Sequence, residues 1–162
     1  MPKISRSALV PYSAQVMFGL VDDIKSYPEF LPWCASSKEL ARDELGVRGQ
    51  IELRKGKVHK SFTTQNSNDP GASIIMRLVE GPFKQLEGVW SFQALNKSAN
   101  NNVASGCHLS SGSKVSLDLE YEFSNMLLKM TVGPVFQQIA DKLVDAFCQR
   151  ANEVYGENAN KL

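Results

Sequence analysis

The sequence is poor in the residues that usually carry chemistry. It has two histidines, His59 and His108, and three cysteines, Cys34, Cys107 and Cys148, with no CxxC pair among them. Scattered cysteines, odd in number and forming no pair near a histidine, suit neither a zinc site nor a disulfide framework and point to a reducing compartment. There is no GxGxxG fingerprint, no Walker loop and no GxSxG elbow. No apolar run approaches the ~18 residues that a membrane-spanning helix requires. The opening Met1-Pro2-Lys3-Ile4-Ser5-Arg6 lacks the apolar core of a signal peptide. The expected location is the cytoplasm. Excess charge is missing too: 18 basic residues face 17 acidic ones, for a net charge of +1. That balance argues against a protein that coats nucleic acid through bulk charge, so DNA is not an expected partner. A local basic patch stays open.

What is present is periodicity. A chain of 162 residues has room for one domain with a real core, expected over 1–156, with a disordered tail at 157–162. The last long segment organises the rest. From Gly133 to Tyr155, Val135, Phe136, Ile139, Leu143, Val144, Phe147, Ala151 and Val154 recur at spacings of three and four, with Gln137, Asp141, Lys142, Asp145 and Gln149 opposite. This predicts an amphipathic helix roughly 35 Å long. Gly133-Pro134 mark its start and Gly156 its stop.

Upstream, Ile4–Val10 reads as a strand ended by Pro11, and Ser13 caps a helix over Ala14–Ile24. Ser26–Cys34 holds Pro28, Pro32 and four large apolar side chains, which predicts a docked lid with at most one helical turn. From Ser37 the period changes to two. A loose strand carries Lys38, Leu40 and Glu44, and Gly46 marks a turn. Strands follow over 47–54, 58–64, 74–79, 86–93 and 115–123, with turns at Gly56, Asn66–Gly71 and Gly81-Pro82. Asn96–Ser113 is an Asn-, Ser- and Gly-rich insert, expected to be a flexible hairpin loop.

Strands with one apolar and one polar face, joined by short turns, describe a meandering antiparallel sheet wetted on one side. The final helix is the only element long enough to cover the dry side. The expectation is an α+β domain in which a curved antiparallel sheet wraps around a long C-terminal helix, with an apolar pocket where the two do not close. Inward glycines, Gly49 and Gly88, suit the bends.

The candidate walls of that pocket are Tyr27, Phe30, Trp33, Phe62, Met76, Leu78, Phe83, Trp90, Phe136, Ile139 and Leu143. Each also suits an ordinary core, where large aromatics dominate. Phe83 and Trp33 follow proline-marked turns, where pocket mouths form. The polar groups expected on the dry side are few and neutral, Thr64 and the Tyr121 hydroxyl. Glu120 and Glu122 share a strand face, but it is the hydrated one, and Asp22-Asp23 read as solvated. No catalytic residue and no metal ligand is assigned, and the chain is not expected to be an enzyme. Arg54-Lys55-Gly56-Lys57-Val58-His59-Lys60 and Lys84 concentrate positive charge. Lys55, Lys57, Lys60 and Lys84 are candidates for contact with RNA phosphates or an anionic lipid surface. Lysines also protect hairpin edges without any ligand.

Several motifs together resemble a known family. They are Ile24-x-x-Tyr27-Pro28-x-Phe30-Leu31-Pro32-Trp33-Cys34, Glu80-Gly81-Pro82-Phe83-Lys84-x-Leu86, Trp90-x-Phe92, Tyr121-Glu122-Phe123-x-Asn125 and Ala146-Phe147-x-x-Arg150-Ala151-x-x-Val154-Tyr155. In this order they are similar to the ribosome association toxin RatA and coenzyme Q-binding protein family. The opening Pro2-x-Ile4-Ser5-Arg6 and Leu9-Val10-Pro11-Tyr12-Ser13 resemble its bacterial RatA branch. The resemblance covers nearly the whole chain; the 96–113 insert is longer than the family leads one to expect. It implies a helix-grip, START-like fold of the polyketide cyclase/dehydrase superfamily and two non-enzymatic roles. One is a tunnel holding ubiquinone or another polyprenyl lipid as bound ligand, supporting respiration, with transient contact at the inner membrane surface. The other is binding to the large ribosomal subunit, blocking its joining to the small one. The first is taken as the leading expectation and the second as its alternative.

Overall fold

In a computed structural model, residues 3–95 and 112–156 are described. The 96–111 part of the expected insert and the 157–162 tail lie outside them. Seven strands form one antiparallel sheet: β1 (Lys3–Val10), β2 (Cys34–Arg42), β3 (Gly46–Lys55), β4 (Val58–Asp69), β5 (Ser73–Glu80), β6 (Phe83–Ala94) and β7 (Ser113–Phe123). Their order is β1-β7-β6-β5-β4-β3-β2, a meander whose first strand closes beside the last. Helices α1 (Ala14–Asp22), α2 (Met126–Thr131) and α3 (Gly133–Ala151) complete the fold, with a 3-10 turn over Ile24–Glu29.

The alternation that predicts the strands also sets their faces. In β7, Val115, Leu117, Leu119, Tyr121 and Phe123 are buried, and Lys114, Asp118 and their neighbours face out. Helix α3 buries Phe136, Ile139, Ala140, Val144, Phe147 and Ala151 against that dry side. Phe147 meets the Trp90 ring edge-on at 5.3 Å, and Phe136 meets Tyr121 at 4.7 Å. Rings packed edge to face stabilise by about 0.5–1.5 kcal/mol per pair beyond their burial. Register shifts in β2, β5 and β6 add bends to the sheet where it curls over the helix.

The structure moves several sequence-based boundaries. β2 begins at Cys34, which the proline spacing places in the lid, and it ends before Glu44. Asp43–Leu45 is the turn: the Asp43 carboxylate accepts from the Leu45 and Gly46 amides at 2.8 and 3.0 Å. Gly46 is the first residue of β3, and a Cβ there would sit 1.8 Å from the Asn66 carbonyl oxygen. β4 runs on to Asp69, so Asn66 belongs to a strand and the turn is confined to Asp69–Ala72. α1 stops at Asp22, and Ile24 opens the 3-10 turn instead. α2 carries no helical periodicity long enough to be read; the Asn125 side chain caps it by accepting from the Leu128 amide at 2.8 Å. α3 ends at Ala151 and passes into a π turn over Asn152–Gly156. Gly112 and Ser113, composed like the insert, belong to the sheet end, where the buried Ser113 hydroxyl donates to the Tyr12 carbonyl at 2.9 Å.

Candidate binding cavity and the basic end of the sheet

Between α3, the 3-10 turn and the dry face of the sheet lies an apolar cavity of about 70 Å³. Of the eleven side chains expected to wall a pocket, eight line it: Tyr27, Trp33, Phe62, Met76, Trp90, Phe136, Ile139 and Leu143. The other three stand outside. Phe30 packs edge-on against Phe147 at 5.2 Å and lies under the Arg150 guanidinium at 4.9 Å. Phe83 is buried in a ring cluster with Phe62, Tyr121, Phe123 and Phe136. It opens β6 rather than a pocket mouth. Leu78 is half-buried on β5, away from the lining. Ile24, Ile51, Leu53, Leu86, Leu117, Leu119, Ala140 and Phe147 complete the apolar wall. At Gly49 the wall is as close as it can be: a Cβ there would meet Ile24 Cδ1 at 2.7 Å.

The polar part of the wall is small and uncharged. Thr64 lies on it as its position in β4 predicts, and its hydroxyl donates to Asn66 Oδ1 at 2.8 Å. Reading Asn66 into a turn misses it; β4 keeps an unbroken register with β3 through Ser67, the extra residue at the Thr63–Thr64 step being Val79 of β5, and Thr63, Thr64 and Asn66 are all buried. The Tyr121 hydroxyl points away from the lining and donates to Gln137 Oε1 at 3.2 Å. The Tyr27 hydroxyl donates to the Val21 carbonyl, and burial, reinforced by Asp22, pushes its pKa well above the usual tyrosine value. No Asp, Glu, Lys, Arg or His lines the cavity. Such a wall has nothing to move a proton and nothing to pair with an ion; it favours a neutral, apolar occupant. Among the described residues, no group of three or more His, Cys, Asp or Glu is placed to hold a metal ion. No helix among them is long and apolar enough to cross a membrane.

The half-buried members of the wall are Trp33, Ile51, Phe62, Met76 and Leu143. Ile51 and Phe62 pair with each other on the β3–β4 hairpin, whose tip carries the positive charge. Arg54 and His59 are engaged there: both pair with Glu52, whose carboxylate also accepts from Ser36 at 2.7 Å. Hydrogen bonding from His59, then from Ser36, holds the Glu52 pKa below the usual carboxylate range. Lys55, Lys57, Lys60 and Lys84 are exposed and form no ion pair with any described residue. The pairing of Phe83 with Phe123, and of Glu80 with Thr63, puts the hairpin, the β5–β6 turn and the β7–α2 corner at the same end of the sheet.

A curled antiparallel sheet closed on one long helix around an apolar hollow defines a helix-grip, START-like protein. Solved structures agree. The Zhui aromatase/cyclase from Streptomyces sp. R1128 superposes with a TM-score of 0.76 over 93% of both chains at 12% identity, a likeness of fold alone. Residues 10–148 match the family model described as polyketide cyclase/dehydrase and lipid transport. The chain belongs to that family, within its ribosome association toxin RatA branch. It is 47% identical to the ribosome association toxin RatA of Pseudomonas aeruginosa, over 94% of this chain and 97% of that one. Similarity to a mitochondrial coenzyme Q-binding protein, homolog B of Xenopus laevis, is weaker: 25% identity over 94% of this chain and 59% of that one.

Proposed function

We propose that this chain is a non-enzymatic translation inhibitor that binds the large ribosomal subunit and blocks its association with the small one. The observation that carries the reading is the 47% identity, end to end, with a protein named for ribosome association. The exposed lysines at one end of the sheet, without an ion pair among the described residues, support it. Lys55, Lys57 and Lys60 on the hairpin and Lys84 beyond the β5–β6 turn offer positive charge with no ion-pair partner among the described residues, which suits contact with ribosomal RNA phosphates. Net charge near zero is no obstacle, because the charge is local.

The test is sedimentation with purified large subunits. Wild-type protein should co-sediment and should deplete the joined particle in a gradient. K55E/K57E/K60E should lower the affinity by roughly two orders of magnitude at moderate salt, since each reversal removes a phosphate contact and adds a repulsion. Unchanged co-sedimentation of the triple variant removes the hairpin from the interface. Absence of wild-type binding removes the reading itself.

The ubiquinone and respiration reading ranks second. The uncharged apolar wall favours a small hydrophobic ligand of some kind. At about 70 Å³ the closed cavity is well below the ~300–1,000 Å³ of a ligand pocket, so a quinone head would enter only with displacement of Trp33 or α3. Mass spectrometry of an organic extract of gently purified protein decides it: a stoichiometric quinone or lipid supports the carrier role, and a clean extract counts against it.

A further inference from the structure

Helix α2 presents apolar side chains that its packing does not use. Leu128 turns inward against the core and Val132, just past the helix, is buried. With roughly 100° between successive residues, Met126 and Met130 fall on the opposite side, with Leu127 on one flank and Lys129 on the other. Met126 is 64% exposed, Leu127 70% and Met130 68%, three of the largest apolar exposures among the described residues, gathered on six residues. The helix is held in this orientation from both sides. Asn125 caps its start, the Thr131 hydroxyl donates to the Leu127 carbonyl at 2.8 Å, and α3 begins directly after Val132.

The surroundings are basic. Lys84, Lys129 and Met126 line one shallow groove between β6, β7 and the start of α3; Glu122 is the acidic residue on it. The lysine-rich β3–β4 hairpin stands at the same end of the sheet. The ends of the described chain around the insert, Leu95 and Gly112, are at the opposite end, beside the β6–β7 pairing of Ala94 with Ser113. Long unbranched methionines and a leucine beside Lys84 and Lys129 fit an anionic lipid surface: the apolar tips enter the acyl boundary and the ammonium groups stay among the headgroups. Phosphate contact alone gives no reason for the methionines.

We infer that α2 is a wedge by which this protein docks, reversibly, on an anionic bilayer surface, with Lys84 and Lys129 as its electrostatic partners. Docking in this way sets the β3–β4 hairpin and the half-buried rim of the cavity toward the lipid.

The experiment is flotation with vesicles of phosphatidylcholine alone and of phosphatidylcholine mixed with phosphatidylglycerol at about one part in three. Wild-type protein should float with the anionic vesicles, in a salt-sensitive way, and stay behind with the neutral ones. M126S/L127S/M130S should lose binding by about tenfold or more, and K84Q/K129Q by a few-fold. All five side chains are exposed, so the fold survives, which an unchanged melting temperature verifies. A second readout is L127W, whose emission should shift to the blue with anionic vesicles only. No flotation of wild-type protein, or flotation that the serine triple leaves intact, overturns the inference. So does a serine triple that floats normally but no longer co-sediments with large ribosomal subunits, which would give α2 to the ribosome.

Discussion

The cavity wall and the β3–β4 hairpin end lie close together and obey opposite rules. The wall has nineteen residues, none of them Asp, Glu, Lys, Arg or His; Thr64 and Asn66 bond to each other within it, and the Tyr27 hydroxyl donates to the Val21 carbonyl behind it. The hairpin end has exposed lysines with no described ionic partner and, beyond them, three bare apolar side chains on α2. Side chains in the wall are fixed by what they touch inside the chain. Those at the hairpin end make few internal contacts, so the fold alone gives no reason for their identity. The difference separates what holds this protein together from what it offers to a partner. Changes in the wall should therefore register first in stability, and changes at the hairpin end first in association.

The strongest attempt to break that division is F147A. Phe147 is 1% exposed and meets Tyr27, Phe30 and Trp90 edge-on, at 5.5, 5.2 and 5.3 Å. Its removal should cost about 3–5 kcal/mol of unfolding free energy, measured by urea denaturation, from lost transfer energy and the enlarged void. The folded fraction should still sediment with large ribosomal subunits at wild-type affinity. K55E/K57E/K60E is its mirror: association lost, with a change in unfolding free energy of no more than about 0.5 kcal/mol per site. If F147A weakened association in the folded fraction, the cavity and the hairpin would be one coupled site.

The same division explains what could be read from sequence. The wall was legible because packing imposes a period: two along β3 and β7, three and four along α3. Of the eight named residues that line the cavity, Phe62, Met76 and Trp90 follow the same period of two on β4, β5 and β6, and Phe136, Ile139 and Leu143 follow the α3 period; Tyr27 and Trp33 come from the aromatic lid, where no period applies. Phe83 and Phe30 are displaced by tertiary facts that periodicity does not carry. A bulge after Phe83 turns it into the ring cluster, and Arg150 and Phe147 hold Phe30 outside. Asn66 escapes because the run Asn66-Ser67-Asn68-Asp69 reads as a turn, whereas here all four pair with β5 and Asn66 and Ser67 pair with β3 as well. A signal was present: a Cβ at residue 46 would clash with the strand carrying Asn66, which suits a glycine there. α2 is six residues long, too short to show a helical period, so the most exposed apolar cluster of the described chain left no trace in the pattern. The lysines were easy to see and hard to interpret, since a solubilising hairpin and an RNA contact have the same sequence.

Within the wall, the Thr64–Asn66 pair sharpens the contrast. T64V keeps the shape, removes one buried hydroxyl donor and leaves Asn66 Oδ1 short of a partner. The expected loss is about 1–2 kcal/mol in urea denaturation. N66L, which removes the acceptor together with the amide, should not recover that loss alone, because the Thr64 hydroxyl is then orphaned. The double variant T64V/N66L should be more stable than either single one if the pair is purely structural. Equal losses with no coupling would mean that the two groups face an occupant or water instead of each other.

The smallest effect concerns the thiol beside the lid. Burial, with a further push from Glu52, raises the Cys34 pKa from 9.0 to about 11, while the hydrogen bond its thiol donates to the Ser36 carbonyl at 3.4 Å accompanies a protonated sulfur. The sign follows directly. A folded value above the unfolded one means that the folded chain keeps a proton the unfolded chain loses. The contribution is full below pH 9, where both states are protonated, and drains away as pH rises from 9 toward 11. In C107S/C148S, where Cys34 is the remaining thiol, alkylation at pH 9 should run roughly 50-fold slower in the folded protein than in denaturant, from the lower thiolate fraction alone. Exclusion of the reagent by the β2–β3 pairing would slow it further. A rate equal to that of the denatured chain would mean that the lid and the start of β2 open on the timescale of the reaction, and the wall would then share the accessibility of the hairpin end.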